Sequence, residues 1–335
     1  MIVILKKDPD PDQLEGLIAW LEDQHITVRP TVGTGQTILG LVGDTASIDQ
    51  DMIAALDIVD EVKRVQEPYK NVNRKFHPED TVIEVGGVRI GGGRPVVIAG
   101  PGAVESREQI LTIALAAAEK GADLLYGGAF MTRTSPYAFA GLREEGIRYL
   151  VEAGHKAGLP VVSEISDDAQ MSCFEEVDIL LVSAANMQNY QLLSLLGRLD
   201  RPVILTRGFS ASYEEFLMAA EYIMAGGNDR VILSESGIRS FENYTRTTLD
   251  ITAVPVMKKL SHLPVIVDPS RAVKKAYLVP PMAAAAVSAG ADGLFLEVHH
   301  DPSHARFDGS QSITPETLGT ITRSVSMIKE AGITV

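Results

Sequence analysis

The chain has little that would tie it to an oxidising compartment or to a membrane. Among its 335 residues there is one cysteine, Cys173, so no intramolecular disulfide can form. No uninterrupted apolar run reaches the roughly 20 residues that a membrane span requires. The N-terminal segment Met1–Lys6 is too short and too strand-like for a signal peptide. We therefore expect a cytoplasmic protein that does not bind membranes.

Positive charge is also scarce. The chain has 30 Lys and Arg residues against 44 Asp and Glu residues, which gives a formal net charge of −14. No sustained Lys/Arg run is present, so nucleic acids and anionic membrane surfaces are not expected as partners. A small anionic metabolite would need a local basic pocket. With 45% hydrophobic residues, the chain can bury one large core plus a small accessory domain.

Residues 1–67 predict a small ferredoxin-like domain, because strand and helix patterns follow one another in the order βαββαβ. The predicted strands are Ile2–Leu5, Ile26–Arg29, Thr37–Val42 and Asp60–Val65, and the predicted helices are Pro11–Asp23 and Ser47–Leu56. Residues 68–80 are rich in Pro, Lys, Asn and Arg and show no periodicity, which predicts a linker.

Residues 81–335 predict a (β/α)8 TIM barrel preceded by a short hairpin, Thr81–Glu84 and Val88–Ile90. Eight apolar runs alternate with helical patterns at even spacing. These runs are Val96–Ala99, Leu124–Leu125, Pro160–Val162, Ile179–Val182, Val203–Leu205, Val231–Leu233, Val265–Val267 and Leu294–Leu296. A doubly wound open sheet is the alternative architecture.

Residues that follow the strands of such a barrel face its pocket, and here they bring polar groups to one end. They are Gly102, Tyr126, Arg133, Glu164, Ala185, Asn186, Thr206, Arg207, Glu235, Ser236, Asp268, Arg271, Glu297, His299, His300 and Asp308. Burial could tune Glu164, Glu297, His299 or Asp308 for acid–base catalysis. The two histidines are otherwise expected to be satisfied loop residues, although a metal site with Glu297 is an alternative. Cys173 is expected to lie in the core.

Two strand-to-helix loops carry specific motifs, AGPGAVES at Ala99–Ser106 and YGGAFMTRTSPY at Tyr126–Tyr137. Further motifs, such as NMQN at Asn186–Asn189, DPS at Asp268–Ser270 and VPP at Val279–Pro281, continue along the chain. Together they resemble the 3-deoxy-D-arabino-heptulosonate 7-phosphate (DAHP) synthases, type Iβ. The resemblance implies condensation of phosphoenolpyruvate with erythrose 4-phosphate on a divalent metal, control by Tyr or Phe through the N-terminal domain, and assembly as a homotetramer or homodimer.

The chain departs from the metal-binding pattern that this resemblance implies. Glu297 and Asp308 match two of the four metal ligands, whereas Gly102 and Arg271 replace a Cys and a His. Two carboxylates without a thiolate or an imidazole make a poor transition-metal site, so we expect no metal and no other cofactor. Arg271 could instead lie between Glu297 and Asp308 as a fixed positive charge. An ordinary ion pair that keeps the barrel mouth rigid is the alternative.

The expected substrate ligands are changed as well. Five positions where the family would carry cationic ligands for phosphoenolpyruvate are neutral here: Tyr126, Met131, Ala185, Thr206 and Ser236. The loss of five charge-assisted hydrogen bonds predicts the loss of phosphoenolpyruvate binding. The erythrose 4-phosphate clamp, Arg133, Thr134 and Ser135, is intact, as is Arg207, and with Tyr126, Met131 and Asn186 these residues form the predicted substrate site. Arg29 and Thr31 replace the usual His and Ser of the sensor segment, which argues against the usual amino-acid control.

These departures predict a diverged, metal-independent enzyme with transferase or lyase chemistry. Its substrate would be an anionic, partly cyclic or apolar metabolite, either related to the shikimate pathway or a sugar phosphate. Arg271, Glu297 and Asp308 are its candidate catalytic residues, together with Glu164 and His299. One alternative is a non-catalytic partner of an active DAHP synthase or chorismate mutase. A second alternative is a DAHP synthase of aromatic amino acid biosynthesis.

Overall fold

The computed structural model describes residues 1–32, 37–45, 48–63, 67–131, 135 and 137–332. The chain forms two compact units. The first comprises Met1–Asp80 with Lys259–His262, and the second comprises Thr81–Lys258 with Leu263–Val335. The residues of the predicted linker therefore group with the first unit, where the Thr31 hydroxyl donates to the Phe76 carbonyl at 3.1 Å.

The first unit is a four-stranded antiparallel sheet with two helices, which confirms the ferredoxin-like prediction. Its elements are β1 Ile2–Leu5, α1 Pro11–Asp23, β2 Thr27–Val32, β3 Thr37–Val42, α2 Gln50–Ala54 and β4 Val59–Lys63. The strand order is β2-β3-β1-β4. Central strand β1 pairs on both sides, with Val3 opposite Leu39 and Val62.

Local sequence explains where these two helices begin. Asp10 accepts from the Gln13 backbone N–H at 3.0 Å, and Pro11 occupies the first turn of α1, where no hydrogen bond is lost. Asp49 caps α2 in the same way, so this helix begins at Gln50 rather than at the predicted Ser47, which lies outside the described residues. Leu17 and Leu21 of α1 are buried against the sheet.

The second unit is a closed eight-stranded parallel barrel with a two-stranded hairpin, so the barrel prediction is confirmed and the open-sheet alternative is wrong. The hairpin consists of β5 Ile83–Val85 and β6 Val88–Ile90. The barrel strands are β7 Val96–Gly100, β8 Leu124–Tyr126, β9 Val161–Glu164, β10 Ile179–Val182, β11 Val203–Thr206, β12 Val231–Glu235, β13 Val265–Val267 and β14 Gly293–Glu297.

Eight helices accompany the barrel strands. They are α3 Arg107–Glu119, α4 Glu144–Ala157, α5 Tyr190–Leu196, α6 Tyr213–Ala225, α7 Ala253–Leu260, α8 Pro269–Val273, α9 Val279–Ser288 and α10 Pro315–Glu330. Because these helices cover the outside of the barrel, its strands are buried and read as continuous apolar runs. None of the helices in the described ranges is long and apolar enough to cross a membrane.

The barrel interior is filled by apolar side chains that point inward from its strands. Ile98, Leu181, Ile204, Ile266 and Phe295 belong to this buried cluster. Bulky branched side chains in layers make the barrel a packed core rather than a pore. The polar residues that follow the strands therefore lie at one mouth, above a solid apolar floor.

Candidate active site

A cavity of about 380 Å³ opens at the carboxyl ends of the barrel strands. Its lining combines acids, cations, hydroxyls and apolar groups. The lining residues are Met131, Glu164, Ser183, Ala184, Ala185, Thr206, Phe209, Ser236, Arg246, Thr247, Arg271, Lys274, Phe307 and Asp308. This is the position at which barrel enzymes keep their active sites.

Arg271 holds a positive charge at the base of this cavity, where its side chain is 17% exposed. Its Nε atom donates to Glu297 Oε1 at 3.0 Å, and its Nη2 atom donates to the Tyr126 hydroxyl at 2.8 Å. The guanidinium carbon lies 5.2 Å from the Tyr126 ring centre and 4.8 Å from that of Phe295. Cation–π contacts and charge-assisted hydrogen bonds thus fix the group in place.

The short helix α8 explains why Arg271 reaches this place. Asp268 follows β13 and caps α8 by accepting from the Arg271 backbone N–H at 2.8 Å. The Asp268 Oδ2 atom also lies 3.5 Å from the Arg271 Nε atom. Burial raises the pKa of Asp268 to about 7, although the positive charge of Arg271 lowers it. This carboxyl group therefore titrates near neutral pH.

Both carboxylate oxygens of Glu297 are engaged by N–H donors. Oε1 accepts from Arg271, and Oε2 accepts from the Gln311 side-chain amide in a short hydrogen bond. The Glu297 backbone N–H donates to Ser270 Oγ at 3.0 Å. Since Glu297 is fully buried, this arrangement compensates for the removal of its charge from water.

The residues present do not fit a divalent metal. Asp308 accepts from Lys274 Nζ at 3.0 Å, and Glu297 is occupied as described. A Cβ atom at position 102 would lie 2.7 Å from Phe307 Cδ1, so the place for a cysteine side chain is filled. Across the described ranges, no group of three His, Cys, Asp or Glu side chains could hold a metal ion.

The prediction that Arg271 lies between Glu297 and Asp308 is wrong in its second half. Arg271 pairs with Glu297 and Asp268, whereas the described ion pair of Asp308 is with Lys274. The reason is the helical turn of α8, which directs Arg271 towards Glu297. Lys274 follows directly after this helix and faces Asp308.

Glu164 is the buried acid that faces the cavity. It ends β9 and is hydrogen-bonded by Ser183 at the end of β10. Burial raises the pKa of Glu164, while Arg271 and the Ser183 hydrogen bond lower it less. An acid whose pKa is raised by burial and which lines a ligand cavity is a candidate proton donor.

Arg207 is paired with two carboxylates and does not line the cavity. Its Nη1 atom donates to Glu235 Oε2 at 3.1 Å and to Asp250 Oδ2 at 2.8 Å, and its Nε atom donates to the Ala211 carbonyl at 3.0 Å. The guanidinium also lies over the Tyr213 ring. These contacts join the loop after β11 to the end of β12 and to the β12–α7 connection. A substrate would have to compete with two carboxylates for this arginine.

Three other predicted substrate residues take different positions. Tyr126 is fully buried below the cavity, edge-on to Phe295, with its hydroxyl on Arg271. Met131 lines the cavity and packs against Phe307. Asn186 is partly buried and is not among the lining residues. Arg133 and Thr134 lie outside the described residues, whereas Ser135 accepts from the Tyr137 backbone N–H at 3.4 Å.

His299 and His300 stack on each other, with ring centres 4.7 Å apart, and neither lines the cavity. His299 Nδ1 accepts from the Asp301 backbone N–H at 3.0 Å. Its Nε2 atom is buried, has no hydrogen bond to the described part of the chain, and lies 3.8 Å from Glu105 Oε1. Burial lowers the pKa of His299. His299 was expected to be a loop histidine with both ring nitrogens hydrogen-bonded, and within the described residues only its Nδ1 atom makes a hydrogen bond.

Sequence reasoning missed Arg246 and Lys274, the two outer cations of the cavity. Both have a positive φ, which no sequence pattern predicted.

The prediction that Cys173 lies in the core is also wrong: its side chain is half-buried and lines a second cavity of about 390 Å³ together with Arg143 and Asp167. Cys173 lies in a 3₁₀ helix, Asp168–Phe174, and its side chain is half-buried.

The fold and site define a TIM barrel with a charged small-molecule cavity at its mouth and a ferredoxin-like N-terminal domain. Two family models match the chain: the DAHP synthetase I family over residues 69–332 and the DAHP synthase ferredoxin-like domain over residues 1–67. The chain therefore belongs to the DAHP synthase type I family.

Individual relatives agree with this assignment. The phospho-2-dehydro-3-deoxyheptonate aldolase of Thermotoga maritima is 43% identical over 332 residues, covering 99% of this chain and 98% of the relative. The crystal structure of the Thermotoga maritima DAHP synthase has a TM-score of 0.79 and covers 99% of this chain and 98% of that one. A 2-dehydro-3-deoxyphosphooctonate aldolase of Syntrophotalea carbinolica is 34% identical, covering 69% of this chain and 90% of the relative.

Proposed function

We propose that this member of the family is an enzyme that binds a phosphorylated or carboxylated small metabolite in the barrel mouth and acts on it without a divalent metal. The observation that carries the proposal is the placement of Arg271. Its guanidinium engages Glu297, Asp268 and the Tyr126 hydroxyl at the position where the family resemblance implies a metal-binding histidine.

Arg271 supplies a positive charge that needs no cofactor. A guanidinium is protonated at all relevant pH values and donates in a fixed plane, so it can polarise a carbonyl or hold an oxyanion. A guanidinium polarises a carbonyl through its charge and hydrogen bonds, more weakly than a metal ion does as a Lewis acid, and a proton donor is therefore needed beside it. Glu164 meets that need, since its pKa is raised by burial and it lines the same cavity.

The cavity also favours a partly apolar ligand. Met131, Phe209 and Phe307 line one part of it, whereas Ser236, Thr206 and the cations line the rest. A ligand with an anionic end and an apolar or cyclic body would bury both kinds of surface.

A second candidate is the condensation that makes DAHP itself. It is favoured by the relative that is 43% identical over nearly the whole chain and is named as the aldolase for this product. The site argues against it, because Glu297 and Asp308 are already paired with cations and a neutral Ser236 and Thr206 stand where the resemblance implies positive charges.

An assay of the purified full-length chain separates the two candidates. DAHP formation from phosphoenolpyruvate and erythrose 4-phosphate is measured after EDTA treatment and after readdition of Mn²⁺, Co²⁺ or Zn²⁺, with the Thermotoga maritima relative as positive control. We expect no DAHP above background from this chain under any of these conditions. Metal-dependent turnover would establish the second candidate and overturn the first.

Ligand binding is measured in parallel by thermal shift in EDTA, with a panel of sugar phosphates and cyclic carboxylates. A ligand present at about 100 times its Kd stabilises the fold by about 2.7 kcal/mol, which is readily detected. The double variant Arg271→Gln/Glu297→Gln removes both members of the closest ion pair, and Asp268, whose pKa burial raises, can keep its proton, so the variant should fold yet lose this shift. Arg239→Gln, an exposed arginine outside the cavity lining, is the matched control. No shift with any compound would count against the proposed function.

A further inference from the structure

The first unit carries an apolar groove of about 390 Å³ between helix α1 and the segment made of helix α2 and the residues after it. Helix α1 contributes Gln13, Gly16, Leu17 and Trp20, which have the i, i+3, i+4, i+7 spacing of one helix face. Leu17 is buried, whereas Trp20 is 37% exposed. Helix α1 therefore presents apolar surface beyond what the core of the unit buries.

The opposite wall of the groove is apolar as well. Met52 is 47% exposed and Leu56 is 39% exposed, and both line the groove together with the buried Ile53. Single exposed apolar side chains are ordinary on a protein surface, but several in one groove indicate a surface that receives another apolar group.

Gly16 leaves the middle of the groove open. A Cβ atom at this position would meet no other atom within 4 Å, so packing within the unit does not require a glycine here. A glycine in a helix interior is also less stable than an alanine. Its effect on the groove is to give the backbone of another element room to approach α1 closely.

The lining of the groove offers few polar groups. Among the described lining residues, the amide of Gln13 and the indole N–H of Trp20 supply the polar side-chain atoms, and neither is charged. A free amino acid or another small charged metabolite would bury its ammonium or carboxylate group there without an opposite charge. An α-helix satisfies its own backbone groups, so it can bury an apolar stripe in such a groove.

Negative charge surrounds this apolar lining. Asp12 and Asp23 are exposed on α1, and Asp51 is exposed on α2. At 100° per residue, Asp12 and Asp23 fall beside the stripe that contains Gly16 and Trp20. Neither helix contains a Lys, Arg or His residue. Two copies of this groove facing each other would bring carboxylates together, so charge complementarity favours a basic partner over a second copy.

We propose that this groove is a docking surface for an amphipathic helix of a partner protein, whose apolar stripe at helical spacing is flanked on both sides by Lys or Arg. Trp20, Met52 and Leu56 are its apolar anchors, since large aromatic and flexible side chains dominate such interfaces. The carboxylates on α1 and α2 face the flanking cations of the partner. This surface belongs to the first unit, so the inference goes beyond the proposed function and does not depend on it.

The test uses the fluorescence of Trp20 in the full-length chain, because Trp20 is the one tryptophan and lines the groove. The chain is titrated with a synthetic peptide of leucine and lysine, with leucines at helical spacing and a length of about 18 residues, enough to form a helix. The controls are a scrambled peptide of the same composition and a peptide with glutamate in place of lysine. We expect a saturable change in emission with the helical basic peptide, weaker at high salt, and an affinity at least about ten-fold lower for both controls.

Variants of the full-length chain locate the binding. Gly16→Gln should fold, because its Cβ has free space, and should lower the peptide affinity by about ten-fold or more by filling the groove. Leu56→Ala should also lower it, whereas the matched control Leu115→Ala, a similarly exposed leucine on α3, should leave it unchanged. The double variant Asp12→Asn/Asp23→Asn should reduce the dependence of the affinity on salt.

Several results would overturn the inference. They are no change in Trp20 emission with the helical basic peptide, an equal response to the scrambled peptide, and unchanged affinity in Gly16→Gln. A change in emission with free phenylalanine that Gly16→Gln abolishes would assign the groove to a small molecule instead. Sedimentation that shows a dimer of the parent and a monomer of Leu56→Ala would assign the groove to a second copy.

Discussion

At the scale of single residues, the mouth of the barrel has more buried acid than buried base. Asp268, Glu164 and Glu297 all lie close enough to Arg271 to affect its ionisation. One guanidinium cannot neutralise three carboxylates, so burial favours the protonated form of at least one of them. The raised pKa values of Asp268 and Glu164 express this imbalance. The site therefore has a proton available near neutral pH without a histidine.

The imbalance makes stability depend on pH through Asp268. Its folded-state pKa of about 7 lies above the ordinary aspartate value of 3.8, so the folded chain binds the proton more tightly than the unfolded chain. The stability from this group is full below about pH 4 and is lost as the pH rises through about 7. Asp268→Asn keeps the α8 cap, because Asn caps as well as Asp. We expect its melting temperature to fall less than that of the parent between pH 4 and pH 8.

The control for this series is Asp200→Asn, since the Asp200 side chain is 98% exposed. Its melting temperature should follow that of the parent across the same pH range. Parallel curves for the parent and Asp268→Asn would show that Asp268 is ionised in the folded protein throughout, and the account of the buried proton would then be wrong.

At the scale of elements, short connections decide the chemistry. Helix α8 has five residues, and its length sets Arg271 on Glu297 and Lys274 on Asp308. The connection after β12 is longer and carries Arg246, whose φ is positive. In the first unit, by contrast, helix α1 contains a glycine with no structural need for one: a Cβ atom at Gly16 would meet no other atom within 4 Å.

Gly16→Ala should therefore stabilise the first unit by about 0.5–1 kcal/mol, because alanine in a helix interior loses less backbone entropy than glycine. The measurement is urea unfolding followed by the fluorescence of Trp20, the one tryptophan of the chain, which lies in α1 itself. Gly43→Ala in the same unit should do the opposite, since Gly43 has φ of 140° and its Cβ would lie 3.2 Å from Ile26 Cδ1. If Gly16→Ala gives no gain in the free energy of unfolding, the backbone-entropy account of this glycine is wrong.

At the scale of the whole molecule, a strongly acidic chain has three cations in the lining of its mouth cavity. The net charge of −14 repels anions at long range, yet Arg246, Arg271 and Lys274 all line the mouth. Attraction of a charged ligand must therefore come from groups within about a Debye length, roughly 8 Å at physiological salt. Two of these three cations are paired with carboxylates, which leaves Arg246 as the uncompensated one in the described part of the cavity.

The purified chain should contain far less than one divalent metal ion per molecule, and EDTA should leave its melting temperature unchanged, because Glu297 is held by Arg271 and Gln311 and Asp308 is held by Lys274. Elemental analysis and melting curves check this. The double variant Gly102→Cys/Arg271→His restores a thiolate and an imidazole, and should gain Co²⁺ binding with a near-ultraviolet thiolate-to-cobalt charge-transfer band if Phe307 can move aside. Stoichiometric metal in the parent would contradict this interpretation of the site.

The sequence by itself determined the architecture and about half of the residues that line the cavity. Apolar runs at even spacing predicted all eight barrel strands, and the order of patterns in residues 1–67 predicted the first unit, because hydrophobic periodicity is a local property of the chain. The sequence also predicted that Arg271 lies at the barrel mouth, because residues that closely follow a barrel strand lie at the mouth whatever their neighbours are.

Only the tertiary structure decided which charges meet. Arg207 turned to Glu235 and Asp250, Asp308 paired with Lys274, and Arg246 entered the cavity from a loop that no strand-end rule indicated. These outcomes depend on the length of α8, on loop closure between residues far apart in the chain, and on positive φ values that are held by contacts rather than by local preference. Ion pairing and backbone strain are set by the packed chain as a whole, and so they could not be read from spacing alone.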